Sequence, residues 1–176
     1  PRVGGPSVTA VPVATPTVTP REYGQWTKIA AGPLSPRWEA LGAWVDGRYL
    51  VFGGHSDFMC GPAASCVSPT WLDDGALYDP ATDRWTPITP MPMTAGYGSL
   101  VTLGSSAYVL TWEGRSATLM RYDTERDSWS TYAMPSSTAG ELVATDSKLL
   151  LVSSTDESGV APDHAFDPET GTFTEL

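Results

Sequence analysis

One stretch of this chain occurs three times. Tyr78-Asp79-Pro80-Ala81-Thr82-Asp83-Arg84-Trp85 returns as Tyr122-Asp123-Thr124-Glu125-Arg126-Asp127-Ser128-Trp129, and again as Phe166-Asp167-Pro168-Glu169-Thr170-Gly171-Thr172-Phe173. Trp26 begins the series without its upstream half. The spacings are 59 residues from Trp26 to Trp85, then 44 to Trp129 and 44 to Phe173. A supersecondary unit of this size cannot bury its own apolar faces, so like units must stack on one another. The first interval is longer because it carries an insertion rich in Cys, Ser and Pro.

Each period divides into four short apolar runs. The first gives Glu39–Val45, Tyr49–Gly53, Gly75–Tyr78 and Arg84–Ile88. The second gives Tyr97–Leu103, Ala107–Trp112, Thr118–Tyr122 and Ser128–Tyr132. The third gives Glu141–Thr145, Lys148–Val152, Asp163–Phe166 and Thr170–Glu175. Asp46-Gly47, Gly104-Ser105 and Asp146-Ser147 separate the first run from the second, and the Asp-led turns separate the third from the fourth. Tight turns between β-branched and aromatic runs are hairpin signals, so each period reads as a four-stranded antiparallel meander. Tyr49-Leu50-Val51-Phe52 and Leu149-Leu150-Leu151-Val152 are apolar on both faces and need cover on both. A radial stack of sheets supplies it, which is the architecture of a β-propeller.

The repeats resemble kelch repeats, the blades of one propeller family. The best match joins Gly47-Arg48-Tyr49-Leu50-Val51-Phe52-Gly53-Gly54 to Tyr78 and Trp85, seven residues apart, and then to Met91-Pro92. Later periods depart from the pattern: Thr111-Trp112-Glu113-Gly114 and Val152-Ser153-Ser154 stand where the glycine pair would be, and Phe173 replaces Trp. The likeness covers about residues 24–176, and its wording is similar to bacterial extracytoplasmic kelch proteins. It implies an all-β kelch-type propeller that is incomplete, with blades over about 37–90, 95–134 and 139–176 and one orphan N-terminal strand around Trp26. Gly53 and Gly54 then allow a close backbone approach, and Tyr78, Trp85, Tyr122, Trp129, Phe166 and Phe173 fill space between sheets.

Residues 1–20 hold five Pro, five Val and four Thr and read as a disordered, semi-rigid tether ahead of the propeller at 21–176. The net charge is −10. Such a chain is repelled by phosphate backbones, and no apolar run approaches the roughly 20 residues of a membrane span. Neither nucleic acid nor a membrane span is expected. Residues 141–176 carry eight Asp or Glu against one Lys. That run is solvated edge charge or a face for a basic partner.

Antiparallel order brings the second-to-third-strand loops and the inter-blade links to one end. The longest loop runs from His55 to Asp74, and long loops on a rigid scaffold often carry function. In it Cys60 and Cys66 would form a disulfide in an oxidising compartment; two free thiols are the alternative. His55, Asp57, Asp73 and Asp74 offer oxygens and an imidazole to a polar ligand or Ca²⁺, or else serve as turn formers and solvated charges. Trp71 stands beside them. Arg37, at the entry of a first strand, holds a ligand carboxylate or pairs with a loop Asp.

No nucleophile triad, phosphate loop or obligatory carboxylate pair is visible, so no cofactor or metal is implied. The function expected is a non-catalytic module, secreted or held at the cell envelope, that presents its loops to a protein or glycan. The family resemblance also implies a competing enzyme reading. That enzyme is a sugar-active mutarotase, or less readily a copper radical oxidase, completed by blades absent here. Propellers close with about 4–8 blades, so three leave open faces that call for further blades or self-association.

Overall fold

In the computed structural model, the β-branched and aromatic runs form three four-stranded antiparallel sheets. The residues described are 26–56, 69–94, 98–113, 116–135, 140–153, 155–156, 159–160 and 162–176; the Pro-rich segment 1–20 lies outside them. Among them no helix is long and apolar enough to cross a membrane.

Sheet one contains β1 (Leu41–Val45) and β2 (Arg48–Phe52), then β5 (Gly75–Asp79) and β6 (Arg84–Pro87). Between β2 and β5 lies a small hairpin, β3 (His55–Ser56) with β4 (Thr70–Trp71). Sheet two is β7 (Gly98–Leu103), β8 (Ser106–Glu113), β9 (Ser116–Asp123) and β10 (Ser128–Ala133), in chain order. Sheet three contains β11 (Gly140–Ala144) and β12 (Leu149–Ser153), then β15 (His164–Asp167) and β16 (Thr172–Glu175). A second small hairpin, β13 (Thr155–Asp156) with β14 (Gly159–Val160), interrupts it. The two small hairpins fall where the residues carry only loop signals. A two-residue strand is too short to show a period.

Turn chemistry sets the register. Asp46 and Gly47 both have positive φ, 49° and 72°, as a two-residue hairpin turn of type I′ requires. At the third turn of each sheet an Asp side chain accepts backbone N–H groups just ahead of it. Asp79 takes Ala81 at 2.8 Å, Asp123 takes Glu125 at 3.0 Å and Asp167 takes Glu169 at 2.9 Å. These are Asx turns, which explains the Asp that leads every copy of the repeat. The first strand begins at Leu41, two residues later than the apolar run, because Glu39 sits at φ 56° and cannot join the ladder.

The core lies between sheets. Val45, Leu50, Phe52 and Leu77 of sheet one close on Val109, Met120 and Tyr122 of sheet two. Tyr108, Leu110 and Leu119, on the opposite face of sheet two, close on Leu142, Leu149, Leu151 and Phe166. β8 therefore feeds both cores, as a strand apolar on both faces must. Among the described residues no further sheet packs on the outward faces of sheets one and three: Trp44 is 58% exposed and Val152 46%.

A recurring clamp ties each link to the next sheet. In sheet two, Asp127 (φ 47°) accepts the Tyr122 hydroxyl at 2.7 Å and the Thr89 N–H at 2.8 Å, while the Trp129 indole donates to the Thr89 carbonyl at 2.8 Å. In sheet one, Asp83 (φ 50°) takes Tyr78 at 2.8 Å and the Ala30 N–H at 2.9 Å, and Trp85 donates to the Ala30 carbonyl at 3.0 Å. The ring pairs repeat too, with centroids 5.1 Å apart for Tyr78–Trp85 and 5.0 Å for Tyr122–Trp129.

Candidate functional site

The end of the sheets where first strands begin and second strands finish gathers most of the predicted site residues. Arg37 lies there, in the link that enters β1, with a side chain only 6% exposed. Nη1 donates to Asp74 Oδ1 at 2.7 Å and to the Gly53 carbonyl at 3.1 Å; Nη2 donates to Asp74 Oδ2 at 3.0 Å and Ser35 Oγ at 3.3 Å. Nε donates to the Ser35 carbonyl at 3.0 Å. All five guanidinium donors thus have acceptors within the protein, which leaves none for a ligand carboxylate. Arg37 and Asp74 act as a staple. The bond from Arg37 is the main reason the Asp74 carboxyl ionises below its ordinary range. Asp73 is exposed, and its carbonyl accepts the Met91 N–H at 2.8 Å.

The staple holds the small hairpin in place. Gly54, at φ 81°, comes so close to the link that a Cβ there would be driven into the Trp38 carbonyl. That approach allows Trp38 and His55 to exchange backbone hydrogen bonds, Trp38 N to His55 O at 2.9 Å and His55 N to Trp38 O at 3.0 Å. His55 in turn is directly opposite Trp71. Residues directly opposed across antiparallel strands project to one face, so Trp38, His55 and Trp71 make a single transverse row. The rings of His55 and Trp71 meet edge to face at 5.0 Å. His55 is buried and its Nε2 lies 3.5 Å from Glu39 Oε2, whereas Trp38 is 66% exposed.

Glu39 is the one positive-φ residue that is neither glycine nor an Asp of a turn, among those described. A non-glycine residue there costs about 1–2 kcal/mol. The Trp38–His55 bridge and the His55–Glu39 contact hold it in place. Trp38 and Glu39 were not anticipated. Neither has a counterpart in the repeat, and only the pairing of their segment with the hairpin reveals them. Asp57, Cys60 and Cys66 lie outside the described residues.

A second feature opens between sheets two and three at the same end, a cavity of about 450 Å³ lined by Gly98, Ser99, Trp112, Gly140 and Glu141. Ser99 Oγ accepts the Leu142 N–H at 3.0 Å. The Trp112 indole N–H is buried and finds no acceptor among the described residues. Leaving such a donor buried without an acceptor costs about 1–3 kcal/mol.

His164, the other histidine, is buried on β15 of sheet three, two sheets away from His55. Among the described residues no three His, Cys, Asp or Glu converge as metal ligands. A copper radical centre built on both histidines does not fit this placement.

No family model matches the chain, and no curated protein does. Among solved structures, YjhT, a kelch-type β-propeller protein, superposes with a TM-score of 0.59 at 19% identity. The match covers 86% of this chain and 54% of YjhT, so the chain spans about half the length of that protein. The fold is an incomplete kelch-like β-propeller. Its three sheets are blades, β1, β7 and β11 are their inner strands, and the loop end described above is one face of the propeller. An identity this low speaks for the fold alone.

Proposed function

We propose that the chain is a non-catalytic binding module whose loop face receives a protein or glycan partner outside the cytoplasm. The observation that carries this reading is the row Trp38–His55–Trp71. It places the exposed Trp38 indole on the link that pairs with the short hairpin, one residue from the Arg37 of the staple, so the ring needs little ordering when a ligand arrives. Rigid aromatic anchors of this kind dominate binding at protein interfaces, and they stack equally well on sugar faces. The strained Glu39 beside the row adds a carboxylate that favours hydroxyl or cationic donors and opposes anions. An extracytoplasmic setting would let Cys60 and Cys66, in the same loop, pair.

The test is a glycan array run beside a panel of purified cell-envelope proteins, with Trp38→Ala as the control. Saturable binding that disappears in Trp38→Ala, with the melting temperature unchanged, supports the reading. Accelerated interconversion of sugar anomers, or copper uptake with peroxide production, would replace it with the enzyme reading.

A further inference from the structure

The two ends of the sheets carry charge differently. At the hairpin and Asp-led turns a base stands beside the acid: Arg48 lies 3.7 Å from Asp46, Arg126 2.6 Å from Asp123 and Lys148 3.7 Å from Asp167. At the loop end Arg37 is spent on Asp74 and the Gly53 carbonyl. Among the described residues no Lys or Arg forms an ion pair with Glu39, Asp73, Glu141 or Asp163. A face whose carboxylates go unneutralised repels anions and draws a cationic partner toward it.

In the transverse row this charge meets an aromatic ring. Trp38 and His55 form an antiparallel bridge, so both side chains project to one face. His55 is buried, and its Nε2 lies 3.5 Å from Glu39 Oε2, on a side chain that is 45% exposed. The carboxylate is thereby held over His55, on the side to which the exposed Trp38 indole projects. Trp71 closes the row beyond His55.

An indole alone accepts a sugar face or an apolar side chain, and a carboxylate alone accepts any cation. Side by side they select a flat cation. A guanidinium can stack on the ring while its N–H fork donates to the carboxylate. An ammonium is a point charge and fits the pair less well.

We propose that the row reads an arginine side chain on a protein partner, with Trp38 stacking on the guanidinium and Glu39 accepting its hydrogen bonds. This rests on the binding role given to the row above and names its ligand. The other carboxylates of the loop end act at longer range, drawing in the basic segment that carries the arginine.

The test titrates the full chain with three capped tripeptides, acetyl-Gly-X-Gly-amide, in which X is arginine, citrulline or lysine. Citrulline keeps the outline of arginine without its charge. The readout is the Trp38 indole N–H resonance in the NMR spectrum, identified by its loss in Trp38→Phe. The arginine peptide shifts it saturably, and citrulline binds about fivefold to tenfold more weakly, the difference between a charge-assisted and a neutral hydrogen bond. Lysine falls between them. Glu39→Gln removes most of the advantage of arginine over citrulline, and molar salt narrows it. Equal affinities for arginine and citrulline, an advantage kept in a folded Glu39→Gln, or no saturation in the tens of millimolar each overturn the proposal. Where Glu39→Gln lowers the melting temperature, salt decides on the unmodified chain: an advantage that narrows supports the proposal, and one that persists undiminished overturns it. A glycan or neutral peptide that shifts Trp38 saturably, while arginine does not, overturns arginine but keeps the binding module. The absence of any ligand that depends on Trp38 removes both.

Discussion

Replacing Asp127 tests whether the clamp holds neighbouring blades together. Its carboxylate accepts three bonds: the Thr89 N–H at 2.8 Å, the Thr89 hydroxyl at 3.0 Å and the Tyr122 hydroxyl at 2.7 Å. Thr89 and Asp127 are exposed, so after truncation the two Thr89 donors turn to water at a cost of a few tenths of a kcal/mol each. Tyr122 is 1% exposed. Its hydroxyl, left without an acceptor, costs about 1–3 kcal/mol. The backbone adds a separate term, since φ at position 127 is 47°. Alanine is strained there by about 1 kcal/mol, whereas glycine is not and Asp is tolerated.

Asp127→Ala therefore loses about 2–4 kcal/mol and Asp127→Gly about 1 kcal/mol less. In urea, with a slope of about 2 kcal/mol per molar, the Ala midpoint falls by about 1–2 M and the Gly midpoint by roughly half a molar less. In a Tyr122→Phe background the penalty of Asp127→Gly shrinks to a few tenths of a kcal/mol, because the stranded hydroxyl is gone. Equal midpoints for Ala and Gly would refute the backbone argument. A Gly penalty unchanged by Tyr122→Phe would refute the hydrogen-bond argument.

Arg37→Ala strips Asp74 and the Gly53 carbonyl of their donor; with Asp74 47% exposed the loss is about 1–3 kcal/mol, and Arg37→Lys recovers less than half of it because an ammonium cannot make the bidentate pair. A urea midpoint within a few tenths molar of wild type for Arg37→Ala would contradict the staple. Gly54→Ala meets the Trp38 carbonyl at a positive φ, so it should cost more than any other glycine substitution in blade one and remove the Trp38–His55 amide protection read by hydrogen exchange. Asp83 and Asp127 both ionise below their ordinary range. For Asp83 the Ala30 N–H is the main cause; for Asp127 burial, the largest single influence, works the other way but is outweighed by the hydrogen bonds from the Thr89 N–H, the Tyr122 hydroxyl and the Thr89 hydroxyl together. Their contribution is therefore present above the unfolded pKa of about 3.9 and lost as pH falls through the lower folded values, so the midpoint drops below about pH 4. An Asp83→Asn/Asp127→Asn pair that keeps the full drop would assign it elsewhere. At the other end, burial and then Asp127 push the Tyr122 hydroxyl upward, so the folded state weakens as pH climbs above about 10, the unfolded value, and Tyr122→Phe flattens that limb.

The blades were legible in the sequence because their signals are local. An Asp that caps its own turn, an Asp-Gly pair at positive φ and an apolar pair two residues apart each act within a few residues. The transverse row was not, because Trp38, His55 and Trp71 meet only through pairing across 33 residues of chain. Neither Trp38 nor Glu39 belongs to the repeat, so no periodic signal marked them. The roles of Arg37 and Asp74 as staple or ligand site were open in the sequence. The count of guanidinium donors against acceptors decides for the staple, and a count of that kind needs coordinates.

The third blade makes the strongest case that the repeat encodes an interaction rather than a shape. Where blades one and two have Tyr, Asp and Trp, blade three has Phe166, Gly171 and Phe173. The hydroxyl donor, the carboxylate acceptor and the indole donor disappear together, so no partner is left stranded. Shape alone would not require this, since Phe166 and Phe173 keep the ring geometry at 4.8 Å. Gly171 keeps the positive φ at 68°. Losing the Asp side chain also clears room for Tyr132, which packs on Phe166 at 4.8 Å and would touch a Cβ at position 171 at 3.1 Å. The junction of blades two and three thus exchanges a polar clamp for an aromatic one. Restoring a single member, as in Phe166→Tyr or Gly171→Asp, should destabilise, since either introduces a polar group without its partner or crowds Tyr132. The degeneracy that blurred this copy in the sequence is a coordinated substitution of three positions, and it reads as such once the clamp is known.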